Sequence, residues 1–282
     1  RLGKLSLNDS SINDAAALSL LQTLTINSRL KTLDLSYCHG ITVAGWRGLF
    51  ECLQSPNSAL EELDLSSNLL NDEEIDFLAN ALVNNNRLRE LDLSDNNNYG
   101  WEAFSAVLQS PNSALEKLNL RWNRFTDDTV ISLANALANN NTLKEMLLEG
   151  NSITTNGWAA FPPVLCNTSS FLDTYRSNHT LQRLSSEYNE RRLPEDVRSL
   201  LHLNRNNTTS QAARLKIIRT HFREGFVVQP FVDMDLNVLP HDIAWMARDD
   251  GVNAVNEHFY GFLRSMPSLF DVDHSANRME ED

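Results

Sequence analysis

Seven short segments recur along this chain at nearly constant spacing. They read LGKLSLNDS from Leu2, LKTLDLSYC from Leu30, LEELDLSSN from Leu60, LRELDLSDN from Leu88, LEKLNLRWN from Leu115, LKEMLLEGN from Leu143 and LQRLSSEYN from Leu181. Successive intervals are 28, 30, 28, 27, 28 and 38 residues. A period in this range excludes an ordinary single-core domain. One such unit cannot bury its own apolar face, so neighbours must stack and share a core.

Within LEELDLSSN, Leu63 and Leu65 alternate and Leu60 leads in, which is the pattern of a short strand with one buried side. Strands of successive copies are expected to pair in parallel and pool their leucines. After each strand a helix is predicted. Asn71 followed by Glu74 has the form of a capping box, and Asp72 and Glu73 suit the positive end of a helix dipole. Ile75, Leu78, Ala79 and Leu82 then fall on one helical face, as do Val130, Leu133, Ala134 and Leu137 after Thr126, Asp127 and Asp128.

Each copy reads L-x-x-L-x-L-x-x-N/C. The set resembles the leucine-rich repeat family in its long, ribonuclease-inhibitor-like class. The resemblance implies an α/β leucine-rich repeat solenoid, a horseshoe with parallel strands inside and helices outside. It also implies that Asn68, Asn96, Asn123 and Asn151 satisfy turning backbone groups, with Cys38 as a buried variant. Gly45–Trp46, Gly100–Trp101 and Gly157–Trp158 recur with every second copy, so these tryptophans are expected to pack rather than bind. Pro162 and Pro163 should break the helix that follows Leu143.

The repeats end near residue 189, giving a solenoid over 1–189 and a helical C-terminal cap over 190–282. Within the cap, RRLPEDVRSLLHLNRNN and SQAARLKIIRTHFREG read as helices, with Ser210 a candidate N-cap. LPHDIAWMARDD and NAVNEHFYGFLRSM read as two more, before a polar, acidic, disordered end. The tail resembles that of uncharacterised leucine-rich repeat proteins from microalgae, which implies no activity.

Charge narrows the partners. Residues 1–180 hold 12 basic and 21 acidic side chains, 181–224 hold 9 and 5, and 225–282 hold 3 and 11. Most of the chain would repel phosphate, so no nucleic-acid partner is expected. No apolar run is long enough to span a bilayer. Three cysteines do not make a disulfide scaffold, and a cytoplasmic, reducing compartment is expected.

No motif for an enzyme is present. The ten glycines form neither G-x-G-x-x-G nor a Walker-type loop, and H-E-x-x-H, C-x-x-C and G-x-S-x-G are absent. No cofactor, metal site or catalytic residue is expected. Function should instead lie in the residues that point away from the leucines. By the period-two rule these include Thr32, Asp34, Ser36 and Tyr37, then Glu62, Asp64, Ser66 and Ser67. Glu90, Asp92, Ser94 and Asp95 follow, then Lys117, Asn119, Arg121 and Trp122, then Glu145, Leu147 and Glu149. Asp34, Asp64 and Asp92 should form an acidic column widened by Glu62, Glu90 and Asp95. Lys117, Arg121 and Trp122 should form a basic and aromatic spot beside it.

The expectation is a monomeric, non-catalytic scaffold that binds another protein, one with a basic surface, through its concave face. The alternative is a GTPase-activating regulator resembling the Ran GTPase activator. That resemblance stops at the fold, because its active-site loop matches no positions here.

Overall fold

The computed structural model describes residues 3–26, 29–55, 58–96 and 101–221. Two compact units divide the chain, Arg1–Asn167 with Arg176–Ala213, and Thr168–Tyr175 with Arg214–Asp282. The expected helices at LPHDIAWMARDD and NAVNEHFYGFLRSM, and the acidic end, lie outside the described residues.

Strands and helices alternate through the first unit. The strands are β1 (Lys4–Ser6), β2 (Thr32–Asp34), β3 (Glu62–Asp64), β4 (Glu90–Asp92), β5 (Lys117–Asn119) and β6 (Glu145–Leu147). Between them run α1 (Asp14–Ile26), α2 (Val43–Glu51), α3 (Asp72–Leu82), α4 (Glu102–Gln109) and α5 (Asp127–Ala136). After β6 come α6 (Thr155–Trp158), α7 (Phe161–Leu165), α8 (Phe171–Arg176), α9 (Glu195–Asn206) and α10 (Thr209–His221). The sheet is open and parallel, with strands in chain order. The pairing register carries Leu5, Leu33, Leu63, Leu91, Leu118 and Met146 in one row. From Leu33 onward that row is buried. Among the described residues no helix is long and apolar enough to cross a membrane.

A three-residue strand carries few hydrogen bonds, and the turn that follows must supply the rest. Asn68 donates its side-chain amide to the carbonyls of Leu35 and Leu65 and accepts from the Cys38 amide. Asn96 repeats this on Leu65 and Leu93, Asn123 on Leu93 and Leu120, and Asn151 on Leu120 and Leu148. Each asparagine thus satisfies one carbonyl of its own repeat and one of the repeat before. Cys38 is 1% exposed; its thiol reaches the Leu7 carbonyl, and burial pushes its pKa up.

A second set, which the repeat consensus did not point to, serves the return from helix to strand. Asn85, Asn140 and Asn178 reach back to the carbonyls of Leu53, Leu108 and Leu137 and accept amides of their own turns.

The helices form as their caps dictate. Asn71 and Glu74 complete the capping box of α3, and Ile75, Leu78, Ala79 and Leu82 are buried. Thr126 stands at the N-cap of α5 without a side-chain cap bond. The Asp127 carboxylate beside it instead accepts the amide and hydroxyl of Thr154, at the head of the next helix. Asp14 does the same for Thr42. This explains Gly45 and Gly157: a methyl there would stand 2.4 Å and 2.6 Å from those two carboxylates. Trp46 and Trp101 are 1% exposed and packed on phenylalanines, as expected.

The break at Pro162 and Pro163 is also present. α6 stops at Trp158, and the prolines sit in the first turn of α7, where a missing N–H is harmless. Ser210 is not the cap of α10. Thr208 takes that place, because its hydroxyl accepts the Gln211 amide while the Gln211 side chain accepts the Thr208 amide.

The seventh copy joins the β6 segment through the bridge Glu145–Arg183 and through the backbone bonds of Met146 to Arg183 and Leu148 to Leu184, and Leu181 and Leu184 are fully buried. α9 belongs to the same core, to which it brings Val197 and Leu201, with Leu193 just before it. The Asn204 amide reaches the carbonyls of Asn178 and Leu181. In the other unit, Thr174 and His221 are hydrogen-bonded at 2.8 Å, and burial lowers the His221 pKa.

A chain ending at Asn189 should therefore expose the apolar surface around Leu181 and Leu184 together with a strand edge, and associate. Light scattering after size exclusion should show oligomers of the shortened chain and a monomer for the intact one. A monomeric, cooperatively unfolding shortened chain would contradict this role for α9.

Candidate interaction surface

Strand register places Asp34, Asp64 and Asp92 directly opposite one another. Each carboxylate does local work with one oxygen. Oδ1 of Asp34, Asp64 and Asp92 accepts both the amide and the hydroxyl of the serine two residues on, Ser36, Ser66 and Ser94. The recurring D-L-S is thus a turn that ends the strand as well as a charge on its surface. Ser36 and Ser67, expected to face outward, are only 4% and 8% exposed. Their hydroxyls are held by Asp34 and Asp95.

The second oxygens differ. Oδ2 of Asp34 accepts the Ser6 hydroxyl, and Oδ2 of Asp92 accepts the Asn119 amide. Among the described residues Oδ2 of Asp64 has no such bond. Burial pushes the Asp64 pKa up, against the hydrogen bonds from Ser66, and the charges of Asp92 and Asp34 push it further. At Asp34 burial also raises the pKa, but Ser36, Ser6 and the field of Lys4 outweigh it and leave it lowered.

Lys117 and Arg121 do not stand as a separate basic spot. Lys117 binds Glu90 at 2.7 Å, which raises its own pKa, and Arg121 binds Glu149 at 2.7 Å. Glu145 pairs with Arg183 at 3.3 Å. Glu149 is occupied further: burial raises its pKa, yet the Ser186 amide and Arg121 bring it down overall. Glu62 accepts the Thr32 hydroxyl, and Asp95 that of Ser67. Among the described residues Asp34, Glu62, Asp64, Asp92 and Asp95 form no ion pair. The acidic column therefore keeps its charge, while Glu90, Glu145 and Glu149 are matched from neighbouring strands.

Two side chains rise from this surface. Tyr37 is 51% and Trp122 65% exposed, and both have a left-handed backbone, with φ of 58° and 54°. Between them lies a depression of about 520 Å³ lined by Tyr37, Ser66, Ser67, Ser94, Asp95 and Trp122. Strand periodicity cannot reveal it, because it forms one residue beyond the Asp-x-Ser turn, where alternation has stopped. Among the described residues no group of acids, histidines and cysteines is placed to hold a metal ion.

Sequence comparisons agree with this architecture. The family model described as Leucine Rich Repeat matches residues 59–81. The mouse protein "NACHT, LRR and PYD domains-containing protein 14" is 34% identical over 159 residues, covering 56% of this chain and 16% of its own. The pig protein "Ribonuclease inhibitor" is 31% identical over 135 residues, covering 47% of this chain and 30% of its own. The chain thus spans less than a third of either relative. Among solved structures, a tropomodulin C-terminal domain from Caenorhabditis elegans superposes with a TM-score of 0.45 at 14% identity. It covers 56% of this chain and 91% of that one. Repeats of 27 to 30 residues between Leu2 and Leu143, an open parallel sheet alternating with helices, and these relatives lead to one assignment. The chain is a leucine-rich repeat protein of the ribonuclease-inhibitor-like class.

Proposed function

We propose that this chain is a non-catalytic protein-interaction module. It acts as a monomer in the cytoplasm and engages a basic surface of another protein through the concave, Asp-bearing face of its sheet. The observation that carries the reading is Asp64, with one oxygen free of hydrogen bonds among the described residues and its pKa raised by burial and by the flanking carboxylates. Like charges directly opposite on adjacent strands oppose folding. A cationic partner would offset that repulsion on binding, so the strain of the free surface becomes affinity. Lys117 and Arg121 are bound to Glu90 and Glu149 and leave the column exposed. An extended, repeat-built surface of this kind suits a protein partner, and one relative carries the name of an inhibitor of another protein.

Asp64→Asn tests both halves of the reading, because an amide keeps the oxygen that accepts from Ser66. A carboxyl whose pKa is raised on folding favours the fold below about pH 4, and that contribution is lost as pH rises through the raised value. At pH 7 the variant should therefore be more stable than the native chain by about 0.2–1 kcal/mol. In urea titrations the difference should vanish near pH 3. Affinity capture at low salt should at the same time lose its basic proteins when Asp64→Asn is combined with Glu62→Gln. An unchanged set of captured proteins would remove the acidic column from the function.

A further inference from the structure

We propose that the rim where the strands end is a peptide-docking groove. Its occupant is an extended segment of the partner that carries arginine or lysine at alternate positions and lies across the strands from Tyr37 to Trp122. This rests on the interaction reading above and adds a partner geometry to it.

The rim is built from one backbone position per repeat. Asp9, Tyr37, Ser67, Asp95, Trp122 and Gly150 all have positive φ, between 53° and 75°. Such a conformation is unfavourable for bulky side chains, yet two of the six carry aromatic rings that face solvent. Strain combined with exposure is a mark of a functional position.

Both rings are also propped. The Tyr37 ring lies at 19° to the His39 ring with centroids 6.2 Å apart. Nε2 of His39 donates to the Ser67 carbonyl at 2.8 Å. The Trp122 indole rests on Gly150, where an added methyl would come within 2.5 Å of two ring carbons. Only glycine permits that approach, and Gly150 is also left-handed, at φ 75°. Rings fixed before binding lose little freedom on binding.

Spacing selects the occupant. Tyr37 follows β2 and Trp122 follows β5, three inter-strand steps away, or about 14 Å. An extended chain rises about 3.4 Å per residue, so side chains i and i+4 also stand about 14 Å apart and on one face. Residue i+2 then sits midway, over Ser67 and Asp95. Chemistry selects the side chains. The ends of the groove are aromatic, its floor holds Asp95, and the acidic column begins just below. Guanidinium and ammonium groups can stack on the rings and pair with the carboxylate at the centre. A stacked nucleic acid would bring phosphates onto the same carboxylate.

Two blocked peptides of equal composition and charge test the spacing, acetyl-RGRGR-amide and acetyl-RRRGG-amide. Each would be titrated into the ¹⁵N-labelled full chain at 20 mM salt while the Trp122 indole N–H resonance, identified from Trp122→Phe, is followed. The alternating peptide should shift that resonance and bind at least fivefold more tightly than the contiguous one. Trp122→Ala, followed through the backbone amides of Ser67 and Asp95 because it lacks the indole reporter, and Tyr37→Ala should each abolish the difference while leaving the remaining spectrum folded. Equal affinities that both fall in Asp64→Asn would overturn the groove and keep the acidic-surface reading. Failure of both peptides to bind would overturn both.

Discussion

The structure depends on hydrogen bonds that leave one repeat and end on the next, made by the asparagines that follow each strand. Strands of three residues leave the carbonyls of Leu35, Leu65, Leu93 and Leu120 turned toward the interior. A buried carbonyl without a donor costs about 1–3 kcal/mol. Asn68, Asn96, Asn123 and Asn151 remove that cost in sequence, and each also accepts a backbone N–H from the repeat before it. The ladder is bounded. At one end Cys38 substitutes a thiol donor, and at the other the Asn189 side-chain amide reaches the Ser186 hydroxyl of its own turn. Where the ladder stops, Glu149 takes over by accepting the Ser186 amide.

Once the turns are satisfied from within, side chains on the outer rows are free to vary. The same economy works on the helix side. Asp14 and Asp127 hold Thr42 and Thr154 at the heads of the following helices, which requires glycine at Gly45 and Gly157, next to Trp46 and Trp158. The surface inherits the register of this framework. Asp34, Asp64 and Asp92 are opposite one another because Leu33, Leu63 and Leu91 are.

Most of the framework was legible in the sequence, because its parts stand at fixed places in the period. The strand leucines, the ladder asparagines, the α3 capping box and the buried tryptophans all follow from local pattern and repetition. Part of what was not legible depends on a neighbour some 27 to 38 residues away. The pairings of Lys117 with Glu90, Arg121 with Glu149 and Glu145 with Arg183 require both the register and the reach of long side chains. Asp34, Asp64 and Asp92 serve both as charges and as turn acceptors, which ties Ser36, Ser66 and Ser94, placed outside by alternation, into local hydrogen bonds and leaves Ser36 buried. The rim lies where period-two alternation gives way to left-handed residues, so Gly150 gave no sign of carrying Trp122. Thr208 displaced Ser210 as a cap because Gln211 could return the hydrogen bond.

The claim that the ladder couples neighbours, rather than merely decorating a core, is tested most directly by native-state hydrogen exchange on Asn96→Ala. Its carboxamide accepts the amides of Asn68 and Leu70 and donates to the carbonyls of Leu65 and Leu93. Loss of protection should be greatest at Asn68 and Leu70 and along β3 and β4, and should diminish toward β1 and β6. Protection lost equally along all six strands, or retained at Asn68 and Leu70, would contradict the account.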